Sequence, residues 1–244
     1  MLYVFLGMSL LFIAIAFILN KDNAKHLLSG YNTMSEENKK QFDLNNYLKF
    51  FRKFHLFLGA SLLIIGLPLN YLVSESAGGL FIGIYPIAAY IYFTAVSSRY
   101  SKGINIKWNK IGIVILVVTL LFVIGLLGYG FKESKLVFNT ESIEITGFYG
   151  ETLNTTKIKS IRTVEKLPAI RYKSNGFALG IIRKGYFKTT TGETVKLMLN
   201  SDNTPYLLIT KADGKKIYFT AKSTSTIELL NYLKNSLPDV EYQY

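Results

Sequence analysis

Residues 111–131 read IGIVILVVTLLFVIGLLGYGF and contain no Asp, Glu, Lys or Arg. A helix of this length rises about 30 Å, which is the thickness of the hydrocarbon core of a bilayer. Three similar uncharged stretches precede it, at residues 1–20, 54–74 and 76–98. A single such run would also suit a buried core helix, but four with basic connectors between them predict a bundle of four transmembrane helices over residues 1–131.

The composition excludes several classes of protein. Of the 244 residues, 50% are hydrophobic, 18% are charged and none is Cys, which excludes a disordered chain, a disulfide scaffold and a cysteine-ligated metal site. With only His26 and His55, both expected to be solvated or interfacial, we expect no metal and no cofactor. The net charge of +12 on so apolar a chain favours membrane lipid rather than nucleic acid as a partner.

The charges of the connectors predict the topology. The connector at residues 21–53 holds seven basic residues and the one at residues 99–110 holds four, whereas the connector around Glu75 holds none. By the positive-inside rule, the first and third connectors are cytoplasmic. The N-terminus and everything after residue 131 are then extracytoplasmic, in a bacterial cytoplasmic membrane. Lys132 and Lys135 are the local evidence against this orientation.

The polar residues within the spans do not suggest a transport pathway, since none of them is an ionisable group at mid-span. We expect Asn70, Thr94 and Thr119 to hydrogen-bond a neighbouring helix or their own backbone. Gly79 and Gly83 form a GxxxG pattern that permits close helix contact.

The first connector predicts an amphipathic cytoplasmic helix over residues 34–53. Thr33 and Glu36 fit a capping box at its start, and apolar residues then recur at three- and four-residue spacing with basic residues elsewhere. This pattern is typical of a helix on an anionic membrane surface, although such a helix can also serve only to anchor the second span.

The segment before this helix carries a resemblance. Gly30, Tyr31, Asn32, Thr33 and Met34, directly after a first membrane helix and followed by Ser35-Glu36-Glu37, resemble the signature of an uncharacterised family of small bacterial membrane proteins over residues 1–100. The resemblance implies about three membrane helices and assigns no chemistry to the GYNTM segment. The order of elements is also similar, more distantly, to sporulation-delay toxin immunity proteins, which usually have Arg-Thr-Pro where this chain has Asn-Thr-Met.

From residue 132 onward the hydrophobic period changes from helical to alternating. Seven stretches are predicted as strands, at residues 135–139, 142–147, 157–164, 186–190, 194–199, 206–210 and 216–220. A helix with Ile227, Leu230, Leu233 and Leu237 on one face, capped by Ser223 or Thr224, closes the chain. We therefore expect residues 132–244 to form a mainly-β domain of about seven antiparallel strands capped by a C-terminal helix.

Residues 132–237 resemble bacterial pleckstrin-homology-like domains. The resemblance rests on Leu167-Pro168, on the glycine and aromatic spacing between Arg171 and Phe187, and on the closing helix. It implies a scaffold for lipid, peptide or protein contacts, and a fold does not fix a function. Five basic residues are candidate contacts for an anionic surface, with scattered surface charge as the alternative: Arg171, Lys173, Arg183, Lys184 and Lys188.

The sequence holds no recognisable catalytic motif, so we expect a non-enzymatic protein. The leading hypothesis is an integral membrane protein whose exposed β domain binds a protein, peptide or lipid partner, in envelope stress or in self-protection against a toxin. The rival hypotheses are a transporter or membrane-embedded enzyme that acts through the bundle, and a structural subunit of a membrane complex.

Overall fold

A computed structural model of the chain describes residues 1–28, 30–101, 106–139, 141–237 and 240–243. Its Cα atoms cluster into two compact units, Met1–Gly125 and Leu126–Tyr244. The first unit is helical, and its helices are α1 (Leu2–Ile18), α2 (Ala24–Leu27), α3 (Glu36–Gln41), α4 (Leu44–Pro68), α5 (Glu75–Ser97) and α6 (Ile106–Phe131).

Three segments are long and apolar enough to cross a membrane: Leu44–Val73, Glu75–Ser101 and Lys107–Phe131. They confirm, by length and composition, three of the four apolar helices expected from the sequence. The fourth, α1, is a shorter apolar helix of 17 residues. The helical unit therefore has the apolar lengths that are typical of a membrane protein.

The packing of α1 against α4 depends on small residues. The buried residues of α1 recur at helical spacing on one side: Phe5, Ser9, Phe12 and Ala16. A Cβ added at Gly66 of α4 would lie 2.3 Å from Cε1 of Phe5. The absent side chain is therefore what lets the Phe5 ring pack against α4.

The predicted amphipathic helix over residues 34–53 is two helices in the structure. The cap of α3 is Ser35 rather than Thr33, because the Ser35 hydroxyl accepts a 3.3 Å hydrogen bond from the Asn38 amide. Asp43 then caps a new helix by accepting a 3.2 Å hydrogen bond from the Asn46 amide. The residues from 44 to 53 consequently belong to the same continuous helix as the second span.

A seam of aromatic and polar side chains joins α4 to α5. His55 is only 1% exposed, so a solvated His55, one of the two expected alternatives, was wrong. Its Nε2 lies 3.0 Å from the hydroxyl of Tyr90, and its Nδ1 lies 2.8 Å from the carbonyl oxygen of Phe51. One turn and a half further on, the Ser61 hydroxyl lies 2.6 Å from that of Tyr85. These bonds satisfy polar groups that lipid could not satisfy.

The other polar residues of the spans lie apart from one another. The hydroxyls of Thr94 and Thr119 donate to carbonyl oxygens one turn back on their own helices, at 2.8 and 2.9 Å, as expected. Asn70 lies in a π-helical turn, Leu69–Val73, that begins directly after Pro68. Asn70 packs closely against Gly78 of α5, where an added Cβ would lie 2.6 Å from Cβ of Asn70.

The described residues of the second unit form ten strands: β1 (Leu136–Asn139), β2 (Ser142–Ile145), β3 (Glu151–Asn154), β4 (Ile158–Val164), β5 (Ile170–Leu179), β6 (Ile182–Thr189), β7 (Thr194–Leu199), β8 (Tyr206–Lys211), β9 (Lys216–Thr220) and β10 (Glu241–Gln243). Strands β1–β3 form a three-stranded antiparallel sheet, and the other seven form a sheet in the order β10-β4-β8-β9-β7-β6-β5. A β-sheet domain is thus confirmed. The prediction of antiparallel strands throughout was wrong, because β7 pairs with β9 and β10 pairs with β4 in parallel.

The β domain has apolar side chains on both faces of the larger sheet. One core joins the larger sheet to β2, to β3 and to the closing helix α7 (Thr226–Ser236), through residues such as Ile143, Phe219 and Leu233. A second cluster, which includes Phe187 and Leu197, lies on the opposite face. The cap of α7 is Ser225 rather than Ser223 or Thr224.

Candidate functional site

The GYNTM segment, residues 30–34, forms two successive turns between α2 and α3. The Tyr31 amide donates to the Leu28 carbonyl at 3.1 Å, and the Met34 amide donates to the Tyr31 carbonyl at 3.2 Å. Gly30 has a φ of +85°, a conformation that side-chain-bearing residues rarely adopt. The segment thus has a defined backbone conformation that depends on its glycine.

All five residues of the segment line a cavity of about 690 Å³ in the helical unit. The rest of the wall comes from the loop before the segment, the start of α4, the end of α5 and the start of α6: Leu28, Phe42, Tyr47, Ser97, Ser101, Trp108 and Asn109. The segment that the sequence singled out by resemblance is therefore one wall of a cavity in this unit. The residues from α5 and α6 had no signal in the sequence that linked them to it.

Aromatic contacts and one backbone bond hold this wall in place. The Asp43 amide donates a 2.9 Å hydrogen bond to the carbonyl oxygen of Tyr100, which joins the first connector to the third. The ring of Tyr31 lies 5.3 Å from that of Phe42, and the ring of Phe42 lies 5.4 Å from that of Tyr47. Tyr47, which also lines the cavity, is 8% exposed and packs among these neighbours.

The lining determines what the cavity can bind. None of its lining residues is charged, and they combine aromatic and aliphatic side chains with hydroxyls and amides. Such a site suits an uncharged ligand with an apolar body and a few hydrogen-bonding groups, since a charged ligand would lose its hydration without gaining a partner.

The five basic residues proposed for the β domain do not form one surface. Arg171 and Lys173 are exposed on β5, and Lys188 donates a 3.2 Å hydrogen bond to the Gly192 carbonyl. Lys184 does not fit the prediction, because it is fully buried and its ammonium donates to the carbonyl oxygen of Lys132. Arg183, next to it on β6, points to the opposite face of the strand because side chains alternate.

Burial governs the electrostatics of Lys184. It lowers the pKa of the ammonium, and the nearby Glu133 carboxylate only partly offsets that effect. Lys184 therefore holds the start of the β domain to β6, and does not serve as a free cation for a ligand.

The strongest charge cluster of the β domain was not predicted from the sequence. The carboxylate of Glu151 on β3 binds two ammonium groups: Lys196 at 2.6 Å, and Lys211. Burial raises the pKa of Glu151, but the hydrogen bonds from the two lysines outweigh burial and hold the pKa below its usual value. Burial lowers the pKa of Lys196, which is 5% exposed, despite its bond to Glu151. The three groups are tied to one another, as in a structural ion pair.

Within the described residues, no three His, Asp or Glu side chains lie close enough together to hold a metal ion. The two histidines have different environments, since His55 is buried between α4 and α5 and His26 is exposed on α2.

The architecture is that of an apolar helical unit followed by a β-sheet domain, and the comparisons with known proteins concern the first of these. Residues 6–101 match the family model of a domain of unknown function, DUF3784. This match confirms the resemblance of the N-terminal region to an uncharacterised family, and it contains the whole GYNTM segment. No curated protein and no solved structure gives a significant match to the chain.

Proposed function

We propose that the protein is a non-enzymatic binding protein of a bacterial cytoplasmic membrane. The observation that supports this proposal most directly is the uncharged cavity lined by the GYNTM segment. The segment lies within the family match and forms a cavity wall, and we infer that it binds a ligand because a purely structural segment would fill the space by packing.

We propose four spans for the membrane domain, with α1 as the fourth. The 17 residues of α1 rise about 25 Å, and Leu19 and Asn20 extend the uncharged stretch. Exposed apolar side chains cover the sides of α1 and α6 that face away from neighbouring helices, including Leu10, Phe17 and Phe122. Lipid is the solvent that such surfaces require.

The proposed orientation puts the cavity on the cytoplasmic side and the β domain outside. Both connectors that form the cavity wall carry the basic excess, whereas the connector at Glu75 has none. The cavity and the lipid surface next to the basic connectors would then both face the cytoplasm.

We propose the β domain as a separate interaction module for a protein or peptide, of the kind that the pleckstrin-homology-like resemblance implies. Its own core and its closing helix support this role, while the two parallel strand pairings depart from an all-antiparallel plan. Protection against a membrane-active toxin is one process in which such a module would act. Deletion of residues 132–244 should then abolish the protective phenotype while the helical domain still inserts.

Transport through the bundle is supported less well. The hydroxyls of Thr94 and Thr119 each donate to a carbonyl oxygen of their own helix, so neither forms a polar link between helices of the kind that a pathway would need. The buried His55–Tyr90 pair is the feature that would favour transport, and each partner is already satisfied by the other.

Trp108 offers a direct test, since it is the single tryptophan of the chain, lines the cavity and is 69% exposed. The full-length protein in an uncharged detergent is titrated with a capped, neutral, apolar tripeptide and with the same peptide carrying one lysine. We expect the neutral peptide to shift the Trp108 emission to the blue and the charged peptide to have a much smaller effect.

A matched pair of variants completes the test. Met34→Lys places a charge in the cavity wall and should abolish the shift, whereas Leu27→Lys places the same charge on an exposed residue that does not line the cavity. An unchanged emission with every peptide, or an equal response of the two variants, would overturn the proposed cavity function.

A further inference from the structure

A groove in the helical unit is lined by positive charges, in contrast to the uncharged cavity at the GYNTM segment. It encloses about 500 Å³ between the end of α1 and the first turns of α4. Half of its lining residues are cations, and the others are uncharged: Leu19, Asn20, Lys21, Asn45, Leu48, Lys49, Arg52 and Lys53. Lys49, Arg52 and Lys53 share one side of α4 because residues three and four apart lie next to each other on a helix.

The four cations of the groove have no acidic partner among the residues that the structure describes. Within the described parts of the chain, no carboxylate forms an ion pair with Lys21, Lys49, Arg52 or Lys53. Asp22 follows Lys21 in the sequence but does not line the groove. Four like charges around one concave space repel one another, so an anion in the groove would relieve that repulsion.

The groove lies at a defined level of the membrane domain. After Lys53, the next 20 residues of the span, residues 54–73, carry no charge. Twenty helical residues rise about 30 Å, which matches the hydrocarbon core. Lys53 therefore lies at the boundary of that core, and the groove lies at the depth of the lipid headgroups.

Exposed apolar residues continue from the groove toward the hydrocarbon. Phe17 is 59% exposed, Ile18 is 55% exposed, and Phe57, one turn beyond Lys53, is 69% exposed. The guanidinium carbon of Arg52 lies 5.6 Å from the centre of the Phe17 ring, a cation–π contact that positions Arg52 between the two regions. A cationic pocket above an apolar wall matches a ligand with an anionic head and acyl chains, and not a free anion.

From this arrangement we propose that the groove between α1 and α4 is a binding site for an anionic phospholipid. The phosphate of the headgroup binds Lys21, Lys49, Arg52 and Lys53, Asn20 and Asn45 supply neutral hydrogen bonds, and the acyl chains run along Phe17 and Phe57. This site is separate from the cavity of the proposed function and takes a ligand of the opposite polarity. It also goes beyond general attraction of basic residues to a membrane, since it places one headgroup at one position.

The test is native mass spectrometry of the full-length protein, delipidated in an uncharged detergent and titrated with phosphatidylglycerol or phosphatidylcholine of equal chain length. We expect one phosphatidylglycerol to bind about tenfold more tightly than phosphatidylcholine. The variant Lys49→Gln/Arg52→Gln/Lys53→Gln should lose most of that preference. The control variant Lys25→Gln/Lys40→Gln/Lys110→Gln removes the same charge at residues outside the groove and should keep the preference within about twofold.

A competition experiment with inorganic phosphate tests whether the groove binds a lipid headgroup or a free phosphate ion. We expect millimolar phosphate not to displace the bound phosphatidylglycerol, because the acyl chains contribute to binding. Displacement by phosphate at lipid-equivalent concentration, equal losses in the two triple variants, or no preference between the lipids would each overturn the lipid site. A folded triple variant, shown by unchanged helical circular dichroism, is required for the comparison, and the single variant Arg52→Gln serves if the triple variant does not fold.

Discussion

The hydroxyl of Ser9 on α1 donates a 2.7 Å hydrogen bond to the carbonyl oxygen of Gly59 on α4. Both residues are buried, and a Cβ at Gly59 would lie 2.9 Å from the Ser9 carbonyl oxygen and 2.7 Å from Cγ1 of Ile13. The two backbones thus approach as closely as small residues allow. This contact makes α1 an integral part of the helical unit.

Gly59→Ala should therefore destabilise the protein although alanine is the better helix former. The added methyl group has to displace the Ser9 backbone, at a cost of up to about 3 kcal/mol, whereas the gain in helix propensity is only about 1 kcal/mol. The measurement is the unfolding of the full-length protein in mixed micelles with increasing denaturing detergent. Gly125→Ala is the control, because nothing lies within 4 Å of a Cβ there, and it should raise stability slightly. Shifts of the same sign in both variants would contradict the close α1–α4 contact.

The sequence predicted the apolar helices well because their signal is local. A run of uncharged residues of the right length is sufficient, and three of the four expected segments have membrane-crossing length. The break between α3 and α4 was missed, since the apolar spacing continues through it. The structure places the caps at Ser35 and Asp43, whose side chains accept hydrogen bonds from the amides of Asn38 and Asn46, so a second helix begins within the predicted one.

Features that depend on distant residues were harder to predict. Alternation identified most strands of the β domain but carries no information on which strands pair, so the parallel β7–β9 pairing was missed. The Glu151 cluster joins residues 45 and 60 positions apart, and no sequence spacing marks it. In the same way, residues 30–34 were noticed through their resemblance, whereas nothing in the sequence linked Trp108 to them as a second part of the cavity lining.

Tyr90→Phe tests the buried polar seam between α4 and α5. Loss of the hydroxyl leaves Nε2 of His55 without its partner in a region that excludes water, which should cost about 1 kcal/mol. The detergent unfolding assay measures this change. Tyr92→Phe makes the same change on the same helix at a residue that is 59% exposed, and it should be nearly neutral. Equal effects of the two variants would indicate that the His55–Tyr90 bond does not stabilise the helical unit.

Glu151→Gln should destabilise the β domain strongly. The change leaves the buried Lys196 without its carboxylate, for which the expected cost is about 3 kcal/mol. The thermal loss of the β-sheet amide I infrared band of the full chain is the measurement. Glu193→Gln, at the more exposed pair with Lys216, should cost less than about 1 kcal/mol, and adding Lys196→Met to Glu151→Gln should restore part of the loss. No recovery in the double variant would argue against an uncompensated Lys196 as the cause.

The same carboxylate predicts the response of the β domain to acid. Because the lysines hold the folded pKa of Glu151 below its usual 4.5, the ionised form stabilises the folded state at neutral pH. That stabilisation should be complete above about pH 4.5 and should be lost as the pH falls through the lower folded pKa. The infrared melting temperature should therefore fall more steeply below pH 4.5 in the wild type than in Glu151→Gln. Parallel pH profiles in the two proteins would show that Glu151 is not linked to stability.

Single cysteines introduced into this Cys-free chain test the proposed orientation of the two domains. Asp213 lies in the exposed turn between β8 and β9, and Lys107 is exposed near the start of α6. If four spans place the basic connectors in the cytoplasm, a membrane-impermeant maleimide added to intact cells should label Asp213→Cys and leave Lys107→Cys unlabelled until the cells are opened. Both variants should label after lysis, which controls for the reactivity of each thiol. The reverse pattern would place the β domain in the cytoplasm, and labelling of neither site in intact cells would mean that both sites are cytoplasmic and that α6 does not cross the membrane between them.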